Sequence, residues 1–180
     1  MTADRLTFLH GLESSPDGFR ANYLRARFPE IQVPALSKDP WQRHQFLLET
    51  LVEPTFLVGS SLGGLSALLL ARDIPERVRG MVLLAPAVGF HDAAYRTPEI
   101  LRLVKALVIP AGKPTTVIMG RNDEVIPFAA VEALVARSPQ PDQITFVAVD
   151  DQHRLHSEAA LAAMVQGIQQ VSGLVAATPN

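Results

Sequence analysis

Residues 55–72 read TFLVGSSLGGLSALLLAR. Thr55 to Val58 is a short apolar run stopped by Gly59, the pattern of a buried strand. From Leu62 to Arg72 the apolar residues recur at helical spacing, so a strand runs into a helix through Gly59-Ser60-Ser61-Leu62-Gly63-Gly64. A turn this tight holds its apex residue in a strained backbone, and it needs glycine two positions before and two after so that strand and helix can approach. Gly59 and Gly63 supply both, which puts Ser61 at the apex of a nucleophile elbow with its hydroxyl above the carboxyl edge of the sheet. The backbone N–H of Leu62 points into the same space from a helix N-terminus. Ser60, Ser14 and Ser15 lack the flanking glycines, which makes Ser60 a loop hydrogen-bonder. The plainer alternative is a glycine-rich turn with structural serines.

The same alternation continues on both sides of this segment. Arg5 to Leu9 ends in His10-Gly11, and Val78 to Leu84, Thr115 to Met119 and Gln143 to Val149 are rich in β-branched residues. Ile31 to Leu36 is a weaker strand because Pro34 interrupts it. Helical spacing covers Phe19 to Phe28, Trp41 to Val52, Phe128 to Ala136 and Glu158 to Val175. Strands alternating with helices imply right-handed crossovers. The expected fold is therefore a doubly wound α/β domain over 1–180, with a mainly parallel sheet of about six strands and helices on both faces. Only residues 89–113 break the rhythm. They hold a helix-like stretch, Glu99 to Ala106, between Pro98 and Pro110, and are expected to form a short lid. The tail Ala176 to Asn180 is expected to fray.

The bulk composition narrows the function. At 180 residues the chain suits one core that buries roughly 70 per cent of its unfolded surface. Hydrophobic residues make up 48% and charged ones 19%, a globular balance. A net charge of -2 with no basic block excludes nucleic acid as an expected partner. With no cysteine, thiolate nucleophiles and disulfides are excluded. The opening MTADRLTFLHG lacks the charged start and long apolar stretch of a signal peptide, and no apolar run nears the roughly 18 residues that span a bilayer. A cytoplasmic protein without membrane association is expected.

A serine hydroxyl is a poor nucleophile unless a base takes its proton and a carboxylate orients that base. Gly120-Arg121-Asn122-Asp123-Glu124 follows one strand and Asp150-Asp151-Gln152-His153 the next, so Asp123 and His153 fall in loops on the same sheet edge as Ser61. Asp123 could instead cap the following helix, and Glu124 is its nearest rival; Asp150 and Asp151 read as loop groups. Among the five histidines, His44 falls on a polar helix face and His91 in the lid segment, both read as surface residues, while His156 is placed near the start of the last helix. His10 is expected to fix its loop rather than move protons. Gly11 lets the backbone of that loop approach a substrate, which makes the amides of Leu12 and Leu62 the expected oxyanion donors. No paired-histidine metal motif or phosphate-binding glycine loop is present, so no cofactor or metal is expected.

With HG after the first strand, GSSLGG at the elbow, GRNDEVIP around the acid and DDQHRL around the histidine, the sequence resembles the α/β-hydrolase superfamily. HGLESSP followed by GSSLGG is similar to the short bacterial esterases of the YqiA type. The resemblance implies a larger ancestral sheet whose leading antiparallel strands have no counterpart here. It also departs from the lipase pattern, with no HGGG run and little sequence for a lid, which favours small substrates. The expected activity is a cofactor-free serine hydrolase that cleaves a small ester or thioester through an acyl-enzyme on Ser61. The alternatives are a triad enzyme acting on amide or C–C bonds, and a binding module with a vestigial triad.

Overall fold

A computed structural model describes residues 5–178. The first four and last two residues, on which the leader and tail readings partly rest, lie outside the described residues. Five strands form one sheet: β1 (Arg5–Leu9), β2 (Thr55–Ser60), β3 (Val78–Leu84), β4 (Thr115–Gly120) and β5 (Ile144–Val149), in the order β1-β2-β3-β4-β5 and all parallel. The helices are α1 (Phe19–Arg25), α2 (Pro40–Thr50), α3 (Leu62–Asp73), α4 (Pro98–Ala106), α5 (Phe128–Ala136) and α6 (Glu158–Ser172).

Two expectations about elements are corrected. Ile31 to Leu36 is not a sixth strand: only Gln32 bridges to Thr7 on the outer edge of β1. Pro34 has no N–H to continue a ladder, and the N–H of Leu36 goes to the His10 ring at 3.2 Å instead. That single bridge still marks where the winding reverses, since the chain crosses outward from β1 to Gln32 and then returns past β1 to β2. The last helix ends at Ser172 rather than Val175, because Gly173 adopts a left-handed backbone (φ 73) and its N–H closes on Gln169 O. The frayed-tail expectation also yields at Ala177, whose N–H donates to Arg27 O at 2.7 Å.

Register places the helices on opposite faces. Thr55, Leu57 and Gly59 share a face of β2, and a Cβ on Gly59 would strike Gly63 and Gly64 of α3. Phe56 and Val58 point the other way, in register with Gly80 and Val82, and a Cβ on Gly80 would meet Val171 of α6. Every residue of α3 from Leu62 to Ala71 is buried, because α2 covers the side of α3 that the sheet does not. A helix hydrophobic all round belongs in such an interior position.

The same packing overturns the surface reading of His44. It is only 8% exposed, and its Nε2 lies 2.8 Å from Asp73 Oδ2 at the end of α3. Hydrogen bonds from Arg72 hold the Asp73 carboxyl below the usual carboxylate range, with a further contribution from His44 against the opposing effect of burial. A carboxyl that binds its proton less tightly when folded stabilises the fold above the ordinary carboxylate pKa, and that contribution disappears as pH falls through the lowered value. Asp73→Asn is accordingly expected to flatten the acid limb of the stability curve. Urea melts of both proteins from neutral pH into the carboxylate range check this, and parallel curves would contradict it.

Candidate active site

The carboxyl ends of the strands align, with Leu9 opposite Gly59, Ser60 opposite Leu84 and Gly120 opposite Val149. The loops after β1, β2, β4 and β5 therefore meet at one edge. Ser61 lies between β2 and α3 with φ 52 and ψ -112, a backbone that L-residues rarely adopt. Four backbone bonds hold it there: its N–H donates to Leu84 O at 2.8 Å, and its carbonyl accepts from Gly64 at 2.9 Å, Ala87 at 3.0 Å and Leu65 at 3.2 Å. The two flanking glycines are sterically required. A Cβ on Gly59 would sit 2.5 Å from Gly63 O, and one on Gly63 would sit 1.9 Å from Leu9 O.

Ser61 Oγ lies 3.0 Å from His153 Nε2, and His153 Nδ1 lies 2.9 Å from Asp123 Oδ2 and 3.1 Å from Oδ1. A carboxylate only accepts, so Nδ1 carries the proton and Nε2 is free to accept from the serine hydroxyl. The Asp123 side chain is fully shielded, and its Oδ1 also accepts the N–H groups of Val125 (2.8 Å) and Ile126 (2.7 Å). Asp123 does not cap the following helix, since α5 begins after Pro127 with no side-chain cap bond; the amides of Val125 and Ile126 lie ahead of it and fix the carboxylate that meets the imidazole.

The rivals fall elsewhere. Glu124 accepts the backbone N–H of His153 at 3.1 Å, which ties the two loops together. Asp150 accepts from Asn122, and Asp151 from the N–H groups of Gln152 and Ser157. His91 is exposed, and His156 packs against Phe19 with the rings tilted and their centroids 4.8 Å apart, just ahead of the Ser157 cap of α6. Ser14 and Ser15 are exposed.

Leu62 is the first residue of α3, so its N–H has no acceptor within the helix. The Leu12 N–H likewise donates to no backbone carbonyl among the described residues. The loop that carries Leu12 presses on the elbow, since a Cβ on Gly11 would meet Ser60 O at 3.3 Å and Ser61 Cβ at 3.5 Å. Residues 89–113 flank this edge and are tied at both ends: His91 N–H donates to Val125 O at 3.0 Å, and Arg137 reaches Val104 O and Leu107 O at 2.6 and 2.8 Å.

Two arginines that the sequence reading did not single out support the site. Arg20 of α1 donates to Ser60 Oγ at 3.1 Å, to Leu155 O at 3.1 Å and to Arg154 O, joining the elbow to the His153 loop. Burial lowers its guanidinium pKa to about 10. Arg43 of α2 reaches the His10 carbonyl. Neither has a local motif to betray it, because the partners are distant in sequence. Among the described residues no three acidic or histidine side chains cluster so as to hold a metal ion, and no helix is long and apolar enough to cross a membrane.

The profile of a family described as serine aminopeptidase, S33 matches residues 41–113, a span that includes Ser61 and stops before Asp123 and His153. No curated protein matches the sequence. Among solved structures, a candidate hydrolase from Agrobacterium vitis S4 superposes with a TM-score of 0.76 at 22% identity, covering 94% of this chain and 88% of that one. Mouse alpha/beta hydrolase domain-containing protein 10 gives 0.74 at 18% identity over 94% of this chain and 89% of that one. A candidate α/β-superfamily hydrolase from Xanthomonas campestris pv. campestris gives 0.69 at 25% identity, covering 92% and 98%. With its parallel sheet, its strand–turn–helix at Ser61 and these likenesses across nearly its whole length, the chain has the α/β-hydrolase fold.

Proposed function

We propose that the protein is a serine hydrolase that cleaves a small ester or thioester by way of an acyl-enzyme. The observation that carries this reading is the continuous hydrogen-bonded line from Asp123 through His153 to the strained Ser61. Ser61 Oγ attacks the carbonyl while His153 Nε2 takes its proton; Asp123 holds the ring and stabilises the imidazolium. The amides of Leu12 and Leu62 receive the oxyanion. His153 then returns the proton to the leaving alcohol or thiol, and a water activated by the same ring releases the acyl group. Each of these steps is carried out by side chains and amides of this chain, with small substrates favoured by the short cover at residues 89–113. The narrower likeness to YqiA-type esterases is supported by HGLESSP and GSSLGG alone.

Intact-protein mass spectrometry after mixing with p-nitrophenyl acetate tests the covalent step. One acetyl group is expected on the wild type, mapped by peptide analysis to the segment containing Ser61, together with a burst of p-nitrophenol at high enzyme concentration. Turnover with no trapped acyl group and no burst would count against it. The match to the S33 family favours a second reading, hydrolysis of an amide with an amine leaving group. Aminoacyl p-nitroanilides run beside the esters separate the two by which class is turned over.

A further inference from the structure

His10 and Arg43 are nearly inaccessible, at 3% and 1% exposure, and the chemistry above uses neither. A buried cation is costly unless it is paired. Arg43 nevertheless meets no carboxylate: its Nε donates to Ser37 O at 2.9 Å, its Nη1 donates to His10 O at 3.0 Å, and its Nη2 finds no partner among the described residues. The His10 ring makes one bond on each side, with Nε2 3.2 Å from the Leu36 amide and Nδ1 2.9 Å from Gly11 O. An amide only donates and a carbonyl only accepts, so the ring is neutral with its proton on Nδ1. The peptide whose carbonyl it holds, Gly11–Leu12, is the one whose N–H faces the oxyanion in the function proposed above.

We propose that His10 and Arg43 are positioning residues for the oxyanion hole: the Nδ1–H of His10 orients the Gly11–Leu12 peptide, and Arg43 anchors the preceding carbonyl. The placement of the anchor supports this. A Cβ on Gly63 would lie 3.1 Å from the His10 carbonyl, so Arg43 grips the loop where it touches the nucleophile helix. One residue further on, Gly11 rests against Ser61. The line from the buried guanidinium to the nucleophile is therefore continuous. Burial, and to a lesser degree the Arg43 charge, hold His10 below the ordinary imidazole pKa, while its bond to Gly11 O acts in the opposite sense. Burial likewise lowers Arg43 to about 10.

The inference rests on the proposed function, and the experiment separates the two. Nitrogen-15 NMR of the wild type at neutral pH is expected to show His10 as the neutral Nδ1–H tautomer. His10→Asn keeps an N–H donor at the place of Nδ1, whereas His10→Gln mimics only the Nε2 side. The asparagine variant is expected to stay within about threefold of wild-type kcat, while His10→Gln and Arg43→Met lose about 10- to 100-fold in kcat with KM little changed. A boronic acid that mimics the tetrahedral intermediate is expected to lose affinity in parallel with kcat. Should Arg43→Met fail to fold, the two His10 variants and the wild-type spectrum decide. A wild type with no Ser61-dependent turnover sinks both the function and the inference. Ser61-dependent turnover combined with a cationic or Nε2–H His10, or with equal losses in the Asn and Gln variants, overturns the positioning role alone.

Discussion

Ser61→Ala is expected to lower ester hydrolysis by about four to six orders of magnitude, down to the rate left by the oxyanion donors and substrate binding. The loss is large because His153 Nε2 then has no hydroxyl to deprotonate, and the groups of such a unit do not act additively. Fold stability should change by less than about 1 kcal/mol, since the Ser61 hydroxyl caps no helix and its hydrogen bond to His153 lies at a half-buried edge. Rates with p-nitrophenyl acetate, butyrate and octanoate, measured beside thermal melts of both proteins, decide the matter. Equal rates in wild type and variant would remove Ser61 from the reaction. A fall in rate matched by a collapse in melting temperature would instead make the residue structural.

The second large effect is on the fold. In an ordinary helix interior, Gly→Ala stabilises by roughly 0.5–1 kcal/mol. Gly63→Ala in α3 is expected to do the reverse, at a cost of more than about 4 kcal/mol, a large fraction of the roughly 5–15 kcal/mol of a typical domain. The new Cβ would lie 1.9 Å from Leu9 O and 2.5 Å from Leu9 C, both backbone atoms of the buried strand β1. No rotamer relieves that overlap; only moving α3 off the sheet does, and that also moves Ser61. Equilibrium unfolding in urea measures the change. A variant as stable as the wild type would show that helix and strand can separate without loss.

The strands on either side of the elbow strand were legible as short apolar runs, the first of them closed by His10-Gly11. Arg5–Leu9 and Val78–Leu84 are bounded as their patterns indicate. Ile31 to Leu36 was misread because hydrophobicity suggested a ladder, whereas Pro34 and the capture of the Leu36 N–H by His10 limit pairing to Gln32. His44 was misread because helical periodicity ranks faces by polarity, and a polar residue with an ionic partner can occupy a covered face. Arg20 and Arg43 carried no signal at all, since an arginine in a helix looks the same whether it meets water or a distant carbonyl.

Local chemistry therefore settled in the sequence itself what depends on neighbours along the chain: the glycine spacing that allows a strained Ser61, the strand-to-helix passage, the strand–helix alternation and the loops that hold Asp123 and His153. The contacts between those loops depended on the parallel register of β1 to β5, which brings residues 61, 123 and 153 within hydrogen-bonding distance. The buried pairings of His10, Arg20, Arg43 and His44 likewise belong to the tertiary structure alone. A hydrogen bond between distant segments depends on where two backbones come to rest, and periodicity within either segment holds no information about that.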